Sequence, residues 1–351
     1  MLPYFTEYFG NPESEHAAGD KPREAIRRAT EHIEWLLHSR GNGKVIFTSG
    51  GTESNNMAFR LVDGSRPLCM NIITSATEHK SVLEPAKATR NSKLRLLRPG
   101  RKGYISADDI KPEEIPAFTL VSLMHMNNET GMINEVYKIG DRLRQFSDLD
   151  VFYHIDCVQS AGVKSIDVTD MNADLVSISS HKIHGPKGVG CLWVSDRLLE
   201  RMEDHNVSMI LGGGQQDGFR AGTMDVTGIV GFGAAASMAA NDVEARSASV
   251  DSLARVFTDE LRERCKELEI LLQVHFASSE HHSNKVLSIT FPGADAETVV
   301  LMASRNGLCV SNGAACNSVL SEPSYVLLNS GMSGDTARNT IRISFSKETL
   351  I

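Results

Sequence analysis

The sequence predicts an α/β protein, with a large domain built on a mostly parallel central sheet and a smaller α+β domain after it. Two observations favour this fold class. Short apolar runs rich in β-branched residues alternate with helical patterns over roughly the first 200 residues, which is typical of strands that crossover helices bury on both faces. Polar clusters follow several of these runs, at the strand ends where such sheets bind their ligands.

The elements follow from local patterns. A first helix is predicted over 21–38, because apolar residues recur there at helical spacing, at Ile26, Ala29, Ile33, Leu36 and Leu37. The runs that we interpret as strands of the large sheet are 45–48, 71–74, 94–97, 119–124, 151–155, 175–179 and 191–194. Residues 234–272 have the pattern of long helices, and 286–290 that of a further strand. We therefore predict a large domain over 1–238 and a small domain over 239–351.

Composition narrows the class of protein. The net charge of −8 argues against a broad electrostatic footprint for nucleic acid. No stretch reaches the roughly 20 uncharged apolar residues that a membrane span needs, and the first residues lack the pattern of a secretory signal. The 6 cysteines have no CxxC spacing, so we expect reduced thiols and neither a disulfide framework nor a metal site. These features predict a cytoplasmic protein.

Five polar clusters follow five of the predicted strands. They are 49–53, 77–79, 125–129, 156–159 and 179–182. Because ligands bind beyond the C-terminal strand ends of a parallel sheet, we expect these clusters to form one site.

Lys182 and Asp156 are the first candidates for chemistry. A lysine in a dry, polar-lined pocket can attack a carbonyl and form a Schiff base, although most lysines are solvated surface residues. His181 before Lys182, and the Gly and Pro residues after it, favour the functional interpretation. Asp156 ends a strand that should be buried, so its carboxylate needs a cationic partner such as a pyridinium nitrogen. A helix N-cap is an equally good explanation of Asp156 taken alone.

Two loops are further candidates. The segment 49–56 follows a strand and opens a helix, and its glycines and Thr52 suit a phosphate group, although taken alone it is better explained as a plain strand-to-helix turn. Cys316 lies in a loop of small and polar residues, 311–318, where a cysteine can act as a thiolate nucleophile. Cys191 and Cys309, by contrast, have the apolar neighbours of buried structural cysteines.

Together these residues resemble the cysteine desulfurases of the NifS/IscS type, among the class-V aminotransferases and the fold-type I pyridoxal-phosphate enzymes. The motifs that carry the resemblance occur in family order and at family spacing over nearly the whole chain, at 9–12, 47–54, 77–80, 125–129, 156–160, 181–188 and 218–223. The segment 311–327, ending Glu-Pro-Ser-Tyr-Val-Leu, is similar to the subgroup with a long cysteine loop. The family pattern also includes a segment before Phe9 and a helix beyond residue 351, and it usually has alanine at the positions of Gly51 and Cys157.

The resemblance implies pyridoxal 5'-phosphate as the cofactor, bound by Lys182 as a Schiff base. His79 would stack on the cofactor ring and take part in proton transfer. Asp156 would pair with the pyridinium nitrogen, and Gln159 would hydrogen-bond the phenolic oxygen. The phosphate would be held by residues of both subunits of a homodimer: Gly51, Thr52, Ser179, His181 and, from the second subunit, Thr223.

The resemblance also implies how substrate and sulfur are handled. Arg342 would clamp the carboxylate of L-cysteine, a role suited to its forked guanidinium, with Asn128 beside it. The Cys316 thiolate would attack the substrate sulfur and become a persulfide, releasing alanine. Family members pass this sulfur to iron–sulfur assembly, to tRNA thiolation or to phosphorothioate modification of DNA, so the partner would be a sulfur-acceptor protein.

Two alternatives stay open at this point. One is another fold-type I activity, either a selenocysteine lyase or an aminotransferase. The other is an inactive scaffold in a sulfur-transfer complex, which would have no need of Lys182, Asp156 and His79.

Overall fold

A computed structural model describes residues 1–39, 41–65, 69–146, 149–202, 207–313 and 322–349. Its larger sheet has 7 strands in the spatial order β1-β7-β6-β5-β4-β2-β3. In chain order the strands are β1 Lys44–Thr48, β2 Asn71–Ser75, β3 Lys93–Leu97, β4 Thr119–Met124, β5 Val151–Asp156, β6 Leu175–Ser179 and β7 Gly190–Val194. Each predicted run is therefore a strand.

The larger sheet is parallel except at β7, which runs antiparallel to both of its neighbours, β1 and β6. The central strands β4 and β5 are buried along their whole length. β3 differs, because it lies at the edge of the sheet and exposes part of its surface. The expectation of burial on both faces was thus wrong for this one strand.

Helices cover the large sheet and form much of the rest of the chain. In chain order they are α1 Pro3–Thr6, α2 Ala17–Leu36, α3 Gly51–Gly64, α4 Lys80–Ala88, α5 Val136–Arg144, α6 Asp196–Arg201, α7 Val226–Glu267, α8 Ala296–Arg305, α9 Tyr325–Asn329 and α10 Gly334–Arg338. The predicted first helix corresponds to α2, whose buried Ala29 and Ile33 face α7. A side chain at Gly233 would approach Ala29 Cβ to 2.6 Å, so this glycine permits the close crossing of the two helices.

A second, antiparallel sheet has 3 strands in the order β10-β9-β8, with β8 Gln273–His275, β9 Val286–Thr290 and β10 Thr340–Ser344. It packs in a separate apolar cluster that includes Val250, Leu287 and Ile341, whereas the cluster beneath the large sheet extends along α7 as far as Ala239. The predicted boundary at residue 238 falls inside α7, which is one helix of 42 residues. The division into two domains stays a prediction.

Three of the described cysteines, Cys157, Cys191 and Cys265, are buried, and Cys69 and Cys309 are exposed. The interpretation of Cys309 as a buried cysteine was wrong, because it follows α8, whose residues Leu301 and Met302 also face solvent. Within the described ranges, no helix combines the length and the apolar surface needed to cross a bilayer. The same ranges contain no group of acidic, histidine or cysteine side chains arranged to hold a metal ion.

Candidate active site

A cleft at the C-terminal ends of β4, β5 and β6 collects most of the predicted site residues. It encloses about 890 Å³, part of it open to solvent. The predicted residues that line it are Gly51, Thr52, His79, Asn128, Asp156, Gln159, Ser179, His181, Lys182 and Arg342. The expectation that the polar clusters share one site is therefore met by the geometry of the sheet.

Asp156 lies at the floor of this cleft, at the end of the buried strand β5. Its Oδ1 accepts a hydrogen bond from Val158 N at 2.9 Å, and its Oδ2 accepts one from Asn55 Nδ2 at 2.8 Å. Burial raises the pKa of Asp156, while these two donors lower it, as do His79 and Lys182 in their protonated forms. No helix begins after Asp156, so the N-cap interpretation was wrong. Its carboxylate faces the cleft, where a cationic ligand could pair with it.

His79 connects to Asp156 through two intermediate side chains. Asn55 Nδ2 also donates to Ser81 Oγ at 2.8 Å, and Ser81 Oγ lies 2.7 Å from His79 Nδ1. Because Ser81 N also donates to His79 Nδ1, at 3.1 Å, we assign Nδ1 as the acceptor and place the proton of the neutral ring on Nε2. Burial lowers the pKa of His79, Asp156 raises it, and Lys182 and Lys80 lower it. The ring is therefore neutral at pH 7.

The N-terminus of α3 forms one end of the cleft. Gly50, with a φ of 146°, turns the chain from β1 into this helix, so that the first backbone N–H groups and Thr52 face the cleft. A side chain at Gly51 would approach Val158 Cγ2 to 2.8 Å. Beside this N-terminus, Ser179 Oγ lies 2.9 Å from His181 Nδ1. Burial lowers the pKa of His181, as do Lys182 and Lys187, so its ring is also neutral. Amides, hydroxyls and an imidazole together suit a phosphate group.

Lys182 is held by a short 3-10 turn, Ser180–Ile183, which follows β6 directly. The turn ends at His184, whose φ of 70° reverses the chain toward β7. This tight return places the Lys182 side chain on the cleft beside Asp156 and Gln159. Lys182 therefore lies in a polar-lined cleft, as its interpretation as a Schiff-base lysine requires. That role stays a prediction.

Arg342 enters the cleft from β10 of the small sheet. Its Nη1 donates to the backbone oxygen of Asn128 at 3.2 Å, and its Nη2 donates to Ser311 Oγ at 3.3 Å. These contacts hold the guanidinium on the cleft that Lys182 also lines, where it can donate hydrogen bonds to a carboxylate.

Two predicted residues are not in the cleft. Thr223 lines a different pocket of the same subunit, next to Arg220 and Gly188. Its role in a second subunit's site stays a prediction. Cys316 lies outside the described residues. The residues that flank its segment are described: Ser324 Oγ donates to the buried Glu129 Oε2 at 2.5 Å, and Gly313 packs beside the same carboxylate.

Sequence reasoning missed Asn55 and Ser81 as site residues. Both lie on helices, Asn55 on α3 and Ser81 on α4, where polar side chains normally face solvent. Spacing was the available signal. Asn55 lies about one helical turn after Gly51, so the two residues share one face of α3, and Asn55 is buried there. The cleft is also lined by Met124, Met126 and Val158, which supply apolar surface on either side of the polar groups.

The donor set fits pyridoxal phosphate. A primary amine, a buried carboxylate and an amide line the same cleft, and one end offers a helix N-terminus with hydroxyl groups. Asp156 would otherwise be a buried anion held only by neutral donors, which is costly without a cationic partner. A protonated pyridine nitrogen supplies that partner.

Comparison with known proteins shows which family the chain belongs to. The class-V aminotransferase model matches residues 1–349. A cysteine desulfurase IscS of Anaeromyxobacter dehalogenans is 38% identical over 99% of this chain and 83% of its own length. A mitochondrial cysteine desulfurase of Eremothecium gossypii is 36% identical over 99% of this chain and 69% of its own.

Solved structures agree. A NifS-like protein superposes with a TM-score of 0.86 at 27% identity, covering 99% of this chain and 89% of that one. A structure described as SspA in complex with cysteine has a TM-score of 0.82 at 31% identity, covering 99% and 94%. With the fold, the lysine-centred cleft and these relatives in agreement, the chain belongs to the class-V aminotransferase family of fold-type I pyridoxal-phosphate enzymes.

Proposed function

We propose that this chain converts L-cysteine to L-alanine and transfers the sulfur, as a persulfide on Cys316, to an acceptor protein. The chain is a cysteine desulfurase that depends on pyridoxal phosphate, as its full-length similarity to such enzymes indicates. The observation that carries the residue assignment is the convergence of Lys182, Asp156 and Arg342 on one cleft.

The cleft residues divide into two groups by the part of the cofactor that they would hold. Bound pyridoxal phosphate supplies an electron sink for a substrate amino acid joined to it. Lys182 would carry it covalently, with Asp156 at its pyridine nitrogen and Gln159 at its phenolic oxygen. Its phosphate would lie against Gly51, Thr52, Ser179 and His181 at the other end.

Substrate binding would use the opposite side of the cleft. The forked guanidinium of Arg342 would donate hydrogen bonds to the carboxylate of L-cysteine, with Asn128 beside it. The carboxylate would thereby fix the orientation of the amino acid relative to Lys182. The apolar side chains of Met124 and Met126 would limit water near the reacting carbons.

Proton transfer would involve Lys182 and His79. His79 is neutral at pH 7, and its Nδ1 is held by Ser81, so Nε2 is the ring atom that can exchange a proton with a ligand. The amine of Lys182 would move the proton of the substrate α-carbon. Both groups lie on the same cleft as Asp156, which couples electrostatically to each of them.

The sulfur step balances without an external oxidant. The Cys316 thiolate attacks the substrate sulfur, a new S–S bond forms, and the C–S bond breaks with its electron pair going to the substrate β-carbon. Protonation of that carbon completes alanine, while Cys316 is left as a persulfide. One thiol and one cysteine thus give one alanine and one persulfide, and transfer to an acceptor protein restores the thiol.

We also propose a homodimer, in which Thr223 of one subunit helps to hold the phosphate in the other. The position of Thr223 away from its own cleft, next to Arg220, supports this arrangement. An acceptor in iron–sulfur assembly, tRNA thiolation or DNA thiolation fits the family, as does a cytoplasmic location.

Mass spectrometry after addition of L-cysteine tests the central assignment. We expect one added sulfur atom on the peptide that contains Cys316, and none in a Cys316→Ala variant that still binds the cofactor. Cys309→Ala is the matched control, because Cys309 is an exposed thiol only a few residues away. Persulfide on Cys309, or undiminished alanine formation in Cys316→Ala, would contradict the proposed sulfur path.

A further inference from the structure

A second, smaller cavity adjoins the cleft and shares Lys182 with it. It encloses about 290 Å³ including its mouth. Its polar lining is almost entirely basic, with Lys182, His184, Arg246, Lys285 and Lys347. No aspartate or glutamate belongs to this lining among the residues that the structure describes. The cavity therefore concentrates positive charge in a partly enclosed space, next to the active site but not within it.

Arg246 is the most unusual of these residues. It projects from α7 and is only 5% exposed, and none of the residues that the structure describes accepts a hydrogen bond from its Nε. An arginine cannot lose its charge in a protein, so a buried guanidinium without an anion is strongly unfavourable. Gly162, whose φ is 76°, also lines the cavity, and a Cβ built at this position would lie 3.7 Å from Arg246 Nη1, which is an ordinary van der Waals contact.

Lys285 faces the same space. Its Nζ donates to the backbone oxygen of Gln159 at 2.8 Å, which satisfies one of its three donors with a neutral group. Burial lowers the pKa of Lys285 to about 7, and Lys182 and Arg246 add to the decrease. Lys347 is already paired with Asp242 at 3.3 Å. Burial and the charge of Arg246 lower the pKa of His184, and the nearby carboxylate of Glu348 offsets only part of this decrease. Arg246 and Lys285 thus remain as a pair of cations that no described carboxylate neutralises.

We propose that this cavity binds a small monovalent inorganic anion, of the size and charge of chloride, between Arg246 and Lys285. One negative charge compensates the buried guanidinium. The apolar walls formed by Val163, Val250 and Phe345 favour a weakly hydrated ion. The anion would also act on the active site, since Lys182 and the Gln159 backbone border the cavity.

Bromide is a suitable probe because it can be followed in solution and located by anomalous scattering. We expect the thermal midpoint of the holoenzyme to rise saturably with sodium bromide, relative to sodium gluconate at equal ionic strength. Arg246→Met should raise the apparent bromide dissociation constant about ten- to hundredfold, the effect of losing a hydrogen bond to a charged group. Arg255→Met, an exposed position on the same helix, should leave it unchanged.

Several outcomes would overturn the proposal. They are the absence of a saturable bromide effect, an equal effect in Arg246→Met, and binding seen at crystal concentration only. If Arg246→Met does not fold, Lys285→Met provides the second test. In the wild type, bromide affinity should fall as pH rises through about 7, where Lys285 loses its proton, and Lys285→Met should remove this dependence. A dependence that persists in Lys285→Met would also refute the assignment.

Discussion

Asn55 offers the sharpest test of how the cleft holds its cofactor. This side chain is 1% exposed, and its amide donates both to Asp156 Oδ2 at 2.8 Å and to Ser81 Oγ at 2.8 Å. Asn55→Leu keeps the approximate volume and removes both donors. Asp156 then retains only the Val158 N–H among the hydrogen bonds described above, so its charged form is less well stabilised.

The magnitude follows from that single contact. A hydrogen bond to a charged group contributes about 1.5–3 kcal/mol. Its loss should weaken the pairing of Asp156 with the pyridine nitrogen and so lower the affinity for the cofactor by roughly ten- to hundredfold. The assay is titration of the cofactor-free enzyme with pyridoxal phosphate, followed by absorbance. The free energy of unfolding, measured in parallel, separates lost affinity from lost stability.

Asn56→Ala is the control, because Asn56 lies on the same helix and, among the described residues, its amide donates to the backbone oxygen of Thr52 and not to a side chain of the cleft. Its cofactor affinity should stay within about twofold of the wild type. The reasoning would be refuted by an Asn55→Leu enzyme that binds the cofactor as tightly as the wild type, or by an equal loss in Asn56→Ala.

Three further predictions follow from individual contacts. Lys182→Ala should abolish the Schiff-base absorbance while Lys187→Ala, at an exposed position, preserves it; absorbance retained in Lys182→Ala would exclude Lys182 as the cofactor lysine. Burial raises the pKa of Glu78 well above its ordinary value. As pH rises above about 4.5, the Glu78 carboxyl loses its proton in the unfolded chain before it does so in the folded one. The contribution of Glu78 therefore lowers the free energy of unfolding increasingly as pH rises. The free energy of unfolding of Glu78→Gln, relative to that of the wild type, should therefore be higher at pH 8 than at pH 5 when measured by urea unfolding. The opposite trend would contradict a protonated Glu78. Ser324→Ala removes the hydrogen bond to Glu129 beside the Cys316 segment, and should slow persulfide formation without changing cofactor affinity. Ser333→Ala, which removes an exposed cap of α10, should leave the persulfide rate unchanged.

Local sequence predicted the strands, and it predicted that most of the candidate residues lie on one cleft. Strands such as β4 and β5 are continuous apolar runs, and the polar groups after them have to meet at one edge of a parallel sheet. The edge position of β3 was not visible, because a short apolar run has the same pattern in the centre of a sheet as at its edge. That position depends on strand order, which is a property of the whole fold.

Asn55 shows why part of the site escaped prediction. Its contact with Asp156 joins residues 101 positions apart. The local pattern of α3 indicates at most that Asn55 shares a helix face with Gly51, and it does not indicate which partner Asn55 contacts. The prediction that Cys309 is buried was wrong for a related reason. Apolar neighbours in sequence do not guarantee that a residue just after a helix is buried. Arg246 likewise resembles any other arginine on a long helix until packing encloses it.

The reversed direction of β7 has a consequence for the order of folding. Because β6 and β7 pair as neighbours in sequence, from Leu175 opposite Val194 to Ser179 opposite Gly190, their contacts close only a short loop. That loop contains Lys182, whereas β1 joins β7 across well over a hundred residues. Short loops cost less entropy to close, so we expect the hairpin to gain protection before the β1 edge does. Pulse-labelled hydrogen exchange would show whether Lys182 is positioned early, on a hairpin around which the rest of the sheet then assembles.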